Sequence, residues 1–77
     1  MNIRVEIMGP AKRKLPDNPA DVEIPDKSSV LDLMQFIGYN KQEAGFFVYV
    51  LKDRHVTLNT PLSDGDFLKV VLQVGGG

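Results

Sequence analysis

The three glycines that close the chain, Gly75-Gly76-Gly77, are the residues best suited to take part in chemistry. Glycine loses the most conformational freedom on ordering, so three in a row after a strand-like run do not serve packing. Without Cβ atoms such a tail can thread a channel that rejects other residues, and three extended residues reach about 10 Å from the body. The carboxyl at its tip has an ordinary pKa of about 3.5 and is an anion at neutral pH. Resonance makes that anion resist nucleophiles, so it reacts only after activation. The other candidates offer less. His55 is the single histidine and there is no cysteine, which removes a thiol nucleophile and leaves too few ligands for a zinc site. No Ser/His/Asp set, P-loop or Gly-x-Gly-x-x-Gly occurs, so no internal catalyst is expected. Asp64-Gly65-Asp66 shares part of a calcium-loop pattern but lacks its spacing and final glutamate, which makes it a turn. Lys12, Arg13 and Lys14 form a basic cluster in a proline-rich loop. Such runs are ordinarily solvated, and the functional alternative is docking onto an acidic partner surface.

These residues must be positioned by one small domain. A chain of 77 residues with 43% apolar and 25% charged residues is an ordinary soluble composition, near the lower size limit for folding without staples. A net charge of −1 gives no case for binding nucleic acid or an anionic membrane. No apolar run approaches the roughly 20 residues a membrane span needs. The opening "MNIRVEIMGP" has no separate basic and apolar signal regions, so a cytoplasmic location is expected, with no metal or cofactor bound.

Ile3, Val5 and Ile7 alternate with Arg4 and Glu6, the period of a half-buried strand, which Gly9-Pro10 ends. Val22 and Ile24 resume a short strand up to Pro25. Ser29 can cap a helix with Asp32 in its first turn, and Val30, Leu33, Met34 and Ile37 give that helix one apolar face. Gly38 suits its stop, and Tyr39 to Gly45 reads as a polar connection. Phe46 to Leu51 is a strand, Lys52-Asp53-Arg54 a turn, His55 to Leu58 a short edge strand, and Phe67 to Val74 the last strand. The order β-β-α-β-β-β is an α+β pattern. It predicts a four- to five-stranded mixed sheet around one helix, the β-grasp arrangement of ubiquitin-like proteins. Residues 1–74 would form the domain and 75–77 a flexible tail.

One helix covers one sheet face, yet "FFVYVL" is apolar on both. A tyrosine prefers to keep its hydroxyl wet, so Phe47, Tyr49 and Leu51 are expected outward and Val48 and Val50 inward. The expected core sets the helix against Ile3, Val5, Ile7, Val48, Val50, Leu68, Val70 and Leu72. With Met8, Phe67 and Val71 beside Phe47 and Tyr49, and His55 at the margin, the outer face would be a protein-binding patch.

The run "TPLSDGDFLKVVLQVGGG", from Thr60 to Gly77, resembles the C-terminal signature of the MoaD/ThiS-type sulfur carriers, and "SSVLDLMQFIG" resembles their helix. The opening strand with "KRKLP" is nearest to the small subunit of molybdopterin synthase. Three departures stand out: Lys52-Asp53 where the family often has Asn-Gly, Leu72-Gln73 where many members have prolines, and one extra glycine. Gly75 then reads as a spacer and Gly76-Gly77 as the functional pair. The resemblance implies a carrier rather than an enzyme. An adenylating enzyme uses ATP to convert the Gly77 carboxylate to an acyl-adenylate. A sulfur donor, typically a persulfide, then leaves a thiocarboxylate, which goes to the large subunit of an acceptor synthase. The alternatives are a thiamine sulfur carrier, a ubiquitin-like modifier of lysines, and a binding module with an idle tail.

Overall fold

The computed structural model describes residues 1–8 and 17–72, the side chain of Leu72 excepted. Strand β1 (Asn2–Met8) has the burial alternation its sequence demands, with Ile3, Val5 and Ile7 inward. It pairs antiparallel with β2 (Ala20–Glu23), Ile3 opposite Val22. Helix α1 (Val30–Ile37) begins at a reciprocal cap. The Ser29 hydroxyl accepts from the Asp32 amide at 3.2 Å, and the Asp32 carboxylate accepts from the Ser29 amide at 2.9 Å. Gly38 ends the helix at φ 127°, a region that L side chains avoid.

The chain then makes a four-residue helix, α2 (Lys41–Ala44), inside the stretch expected to be a polar connection. Asn40 and Glu43 cap it reciprocally, at 2.7 and 2.9 Å. Strands β3 (Phe47–Leu51), β4 (Arg54–Val56) and β5 (Phe67–Leu72) complete the sheet, whose order is β2-β1-β5-β3-β4. The two central strands, β1 and β5, are parallel, and their other neighbours are antiparallel. This is the five-stranded mixed sheet with one long helix that the element order predicts.

Val30, Leu33 and Met34 of α1 are fully buried in one cluster with Ile3, Val5, Leu68 and Val70. Ile37 packs against that cluster half-buried. Two core positions are corrected. Tyr49 is 3% exposed and Leu51 is buried, while Val48 and Val50 are the half-buried outward pair. The register shows why, because Tyr49 pairs with Val70 and Leu51 with Leu68, both fully buried. Side chains alternate along a strand, so those pairings put Val48 and Val50 on the other face.

The tyrosine rule fails here because Tyr49 has no need of water. Its hydroxyl donates to the Ala44 carbonyl, at the end of α2. Burial pushes the Tyr49 phenol well above its ordinary range, and nearby Tyr39 adds a smaller push. Phe47 is half-buried on the same side, its ring edge-on to Tyr39 with centroids 5.3 Å apart.

Candidate functional site: the open sheet face and the root of the tail

The sheet face away from α1 is read from the strand pairings. Met8 lies beside Val71, and Val71 beside Val48, so one row of outward side chains is apolar across three strands. The next row runs Glu6, Lys69, Val50 and His55. The third sets Arg4 beside Phe67, with Asp21 next to Arg4 on β2. Met8 is 36% and Phe67 41% exposed, so the apolar character of this face is open to solvent. A contiguous patch of this kind on a small domain marks an interaction surface.

Of the six residues expected on a partner face, Met8, His55, Phe67 and Val71 lie on this open side. Phe47 and Tyr49 do not; they belong to the covered face for the reasons given above. Val48, Val50 and Lys69 take their place and were missed. The signal for Val48 and Val50 was in the sequence: Asn40-x-x-Glu43 marks a helical turn, which supplies the carbonyl that lets the tyrosine turn inward. Gly75, Gly76 and Gly77 lie outside the described residues, as do Lys12, Arg13 and Lys14 and the proposed boundary at 74/75.

What the structure does describe is how the strand leading to the tail is fixed. Asp64-Gly65-Asp66 is a turn with Gly65 at φ 87°. The Asp64 carboxylate accepts from the Asn2 amide at 2.7 Å, and the Gly65 amide donates to the Asn2 carbonyl at 2.8 Å. The buried Asp66 carboxylate accepts from the Ser63 amide at 2.8 Å, and the Asp66 carbonyl accepts from the Arg4 amide at 2.9 Å. These bonds lock the start of β5 to the start of β1, setting their parallel register. The last described residue, Leu72, pairs with Phe47, so β5 points its C-terminal end past the Met8–Val71–Val48 row. A chain leaving β5 therefore starts from a central strand held on both sides, with the apolar row at its root.

Among the described residues, no group of three His, Cys, Asp or Glu side chains could hold a metal ion, and no helix is long and apolar enough to cross a membrane.

No curated protein sequence matches the chain. Among solved structures it is similar, at 25% identity and a TM-score of 0.65, to a chain of the complex of subunits 1 and 2 of molybdopterin-converting factor from Helicobacter pylori 26695. That alignment covers 100% of both chains. Residues 5–77 match the model of the ThiS family. The β-grasp sheet, the locked β5 and this near full-length match agree, and the chain belongs to the ThiS family of small sulfur carriers.

Proposed function

We propose that the carboxylate of Gly77 is the group that carries sulfur, on its way to the synthase that makes molybdopterin. A carboxylate is a poor electrophile, so a partner adenylating enzyme would join it to the α-phosphate of ATP and release pyrophosphate. The persulfide of a sulfur donor then attacks the acyl carbon and expels AMP. Cleavage of the resulting S–S bond by a second thiol leaves the thiocarboxylate. Catalysis resides in the partners, and this chain is their co-substrate in the cytoplasm, with no cofactor of its own. Gly76 and Gly77 enter each partner's channel while Met8, Val48, Val50, Phe67 and Val71 dock against its surface.

The observation that carries this reading is the family match through Gly77, on a chain whose last described strand, β5, is paired on both sides, with β3 as far as Leu72. The molybdopterin route is favoured by the two-subunit complex that holds the structural neighbour, aligned over its whole length. A large synthase subunit is the corresponding acceptor here. The family description favours a second reading, delivery to thiazole synthesis for thiamine.

The test is adenylation by the cognate activating enzyme, followed by intact-mass measurement for replacement of one oxygen by sulfur. Chain extended by one residue beyond Gly77 should fold normally and take up no sulfur, and Gly76→Val should fail in the same way. Normal sulfur uptake by the extended chain overturns the reading. Transfer of sulfur from the loaded carrier to the synthase large subunit or to thiazole synthase separates the two routes, and recovery of lysine conjugates would point to a modifier instead.

A further inference from the structure

The open face is not uniform along β5. Its tail end is the apolar row Met8–Val71–Val48, while its other end holds a hollow lined by Val50, Lys52, Asp53, Phe67 and Lys69. Phe67 and the tail end of β5 are about five residues apart, roughly 17 Å at strand spacing. The hollow is therefore a second, separate contact point on the same face.

Its two ammonium groups are differently committed. Lys52 Nζ lies 3.8 Å from the buried carboxylate of Asp66. Lys69 Nζ sits over the Phe67 ring, 5.9 Å from its centroid, and among the described residues no carboxylate lies within ion-pair distance of it. The ring limits where that ammonium can go while leaving its charge unneutralised. Glu6 shares its row but on the β1 side, away from Lys52. Of the charged side chains that line the hollow, Lys52 and Lys69 are cations and Asp53 is the one carboxylate. Asp21 is on the open face too, but it lies on β2, two strands from β5, where it pairs with Arg4.

The backbone adds an independent sign. Lys52 at φ 53° and Asp53 at φ 62° form the two-residue β3–β4 turn, both in the left-handed region. Such turns prefer Asn-Gly, and a lysine is disfavoured there. Strain held at a residue that lines a surface hollow points from geometry to use.

We propose that Lys69, with Lys52 beside it and Phe67 as the apolar floor, is a subsite for a carboxylate side chain on the surface of the carrier's partner enzyme. It rests on the carrier reading above and adds to it a second anchor. The tail fixes one end of β5 in the partner's channel, and an acidic residue at the foot of the sheet fixes the other. Two anchors on one strand define the carrier's orientation, which a single point of attachment cannot do alone. A carboxylate fits because the hollow continues an apolar protein-contact face, where a polar rim flanks an apolar centre.

The test measures binding of the unmodified carrier to its cognate adenylating enzyme by calorimetry at about 50 mM and about 300 mM salt. Lys69→Glu should weaken binding about tenfold or more at the lower salt, with the gap closing at the higher. Lys52→Asn removes the second cation while suiting a positive φ, and should weaken binding in the same salt-dependent way by less. A lysine in place of the partner's matching carboxylate should restore the Lys69→Glu variant. Wild-type affinity for Lys69→Glu at low salt, or an equal loss at both salts, overturns the subsite. If the wild-type chain supports pyrophosphate exchange while Lys69→Glu binds unchanged, the subsite alone has failed; if the wild-type chain supports none, the carrier reading fails and the subsite with it.

Discussion

The two faces of the sheet draw on the same kinds of residue and differ in what satisfies their polar atoms. On the covered side Tyr49 and Leu51 lie buried with Leu33 and Val70, and the Tyr49 hydroxyl is bonded within the fold to Ala44. On the open side Met8, Val48, Phe67 and Val71 are as apolar, but they are interrupted by Lys69, Glu6 and Arg4, whose charges need water or a partner. Burial of an apolar group stabilises by roughly 25 cal/mol per Å², so the covered face supplies the fold's stability. The open face gives up that gain and leaves apolar surface exposed, at Met8 and Phe67 above all. A domain of this size can leave a face uncovered because its β5 is locked at one end by the Asp64–Asp66 turn and flanked by two strands.

The widest contrast is between Leu33→Ala and Met8→Lys. Leu33 is fully buried, so its truncation should cost about 2–4 kcal/mol, the range for core cavities. Met8 is 36% exposed, and replacing it with lysine should move stability by no more than about 0.5 kcal/mol. Binding of the adenylating enzyme should show the opposite order, weakened by Met8→Lys and intact for Leu33→Ala wherever that variant is folded. Urea denaturation and calorimetry on the two variants measure both. Similar stability losses would show that the open face is part of the core.

The tyrosine gives a sharper cut, because it tests which face β3 presents. Tyr49→Phe keeps the ring but leaves the Ala44 carbonyl without the hydroxyl, and should cost about 1–2 kcal/mol near neutral pH. The pH dependence has a definite sign. The native phenol is held above its ordinary range by burial first and Tyr39 second. In the unfolded chain it ionises near pH 10. Its contribution is therefore complete below about pH 10 and is lost as the pH climbs above that value, where only the unfolded state releases the proton. Denaturation at about pH 8 and about pH 11 should show the gap between wild type and Tyr49→Phe narrowing at the higher pH. An outward Tyr49 would give no gap at either.

How much of this was legible in the sequence follows the same division. The alternation of Ile3, Val5 and Ile7, the Ser29–Asp32 cap with Gly38 as stop, and the Asp64-Gly65-Asp66 turn each have one structural solution, and the sheet with its helix followed from them. The face of β3 did not follow, because Phe46 to Leu51 is apolar at every position and alternation carries no information there. Only the pairings with Val70 and Leu68 break that tie, and these depend on register across the sheet. Helix α2 is one turn long, too short for a 3.6-residue pattern to be seen, and it needed its Asn40–Glu43 cap as the clue. Lys69 stands out only once the strands are paired, since its seat over Phe67 and its neighbours Glu6 and Val50 come from the register.

The smallest effect expected lies at the turn between β3 and β4, where the cation-bearing end of the open face meets the covered one. Lys52 and Asp53 both hold positive φ, and neither residue gains from it as glycine or asparagine does. The aspartate makes no ion pair among the described residues, so its side chain offers little to offset the conformation. Asp53→Gly should therefore raise stability by about 0.5–1 kcal/mol, the relief at the left-handed position less the extra entropy of an unfolded glycine. Lys52 keeps its place and its contact with Asp66 in this variant, so the proposed subsite loses only the negative charge on its rim. Binding to the adenylating enzyme should then stay level or tighten slightly at low salt. Thermal melting with calorimetry on the same preparation reads both quantities. A destabilised Asp53→Gly would mean that the aspartate is held by a contact worth more than its backbone strain, and a clear loss of affinity would place Asp53, rather than Lys69, at the centre of the second anchor.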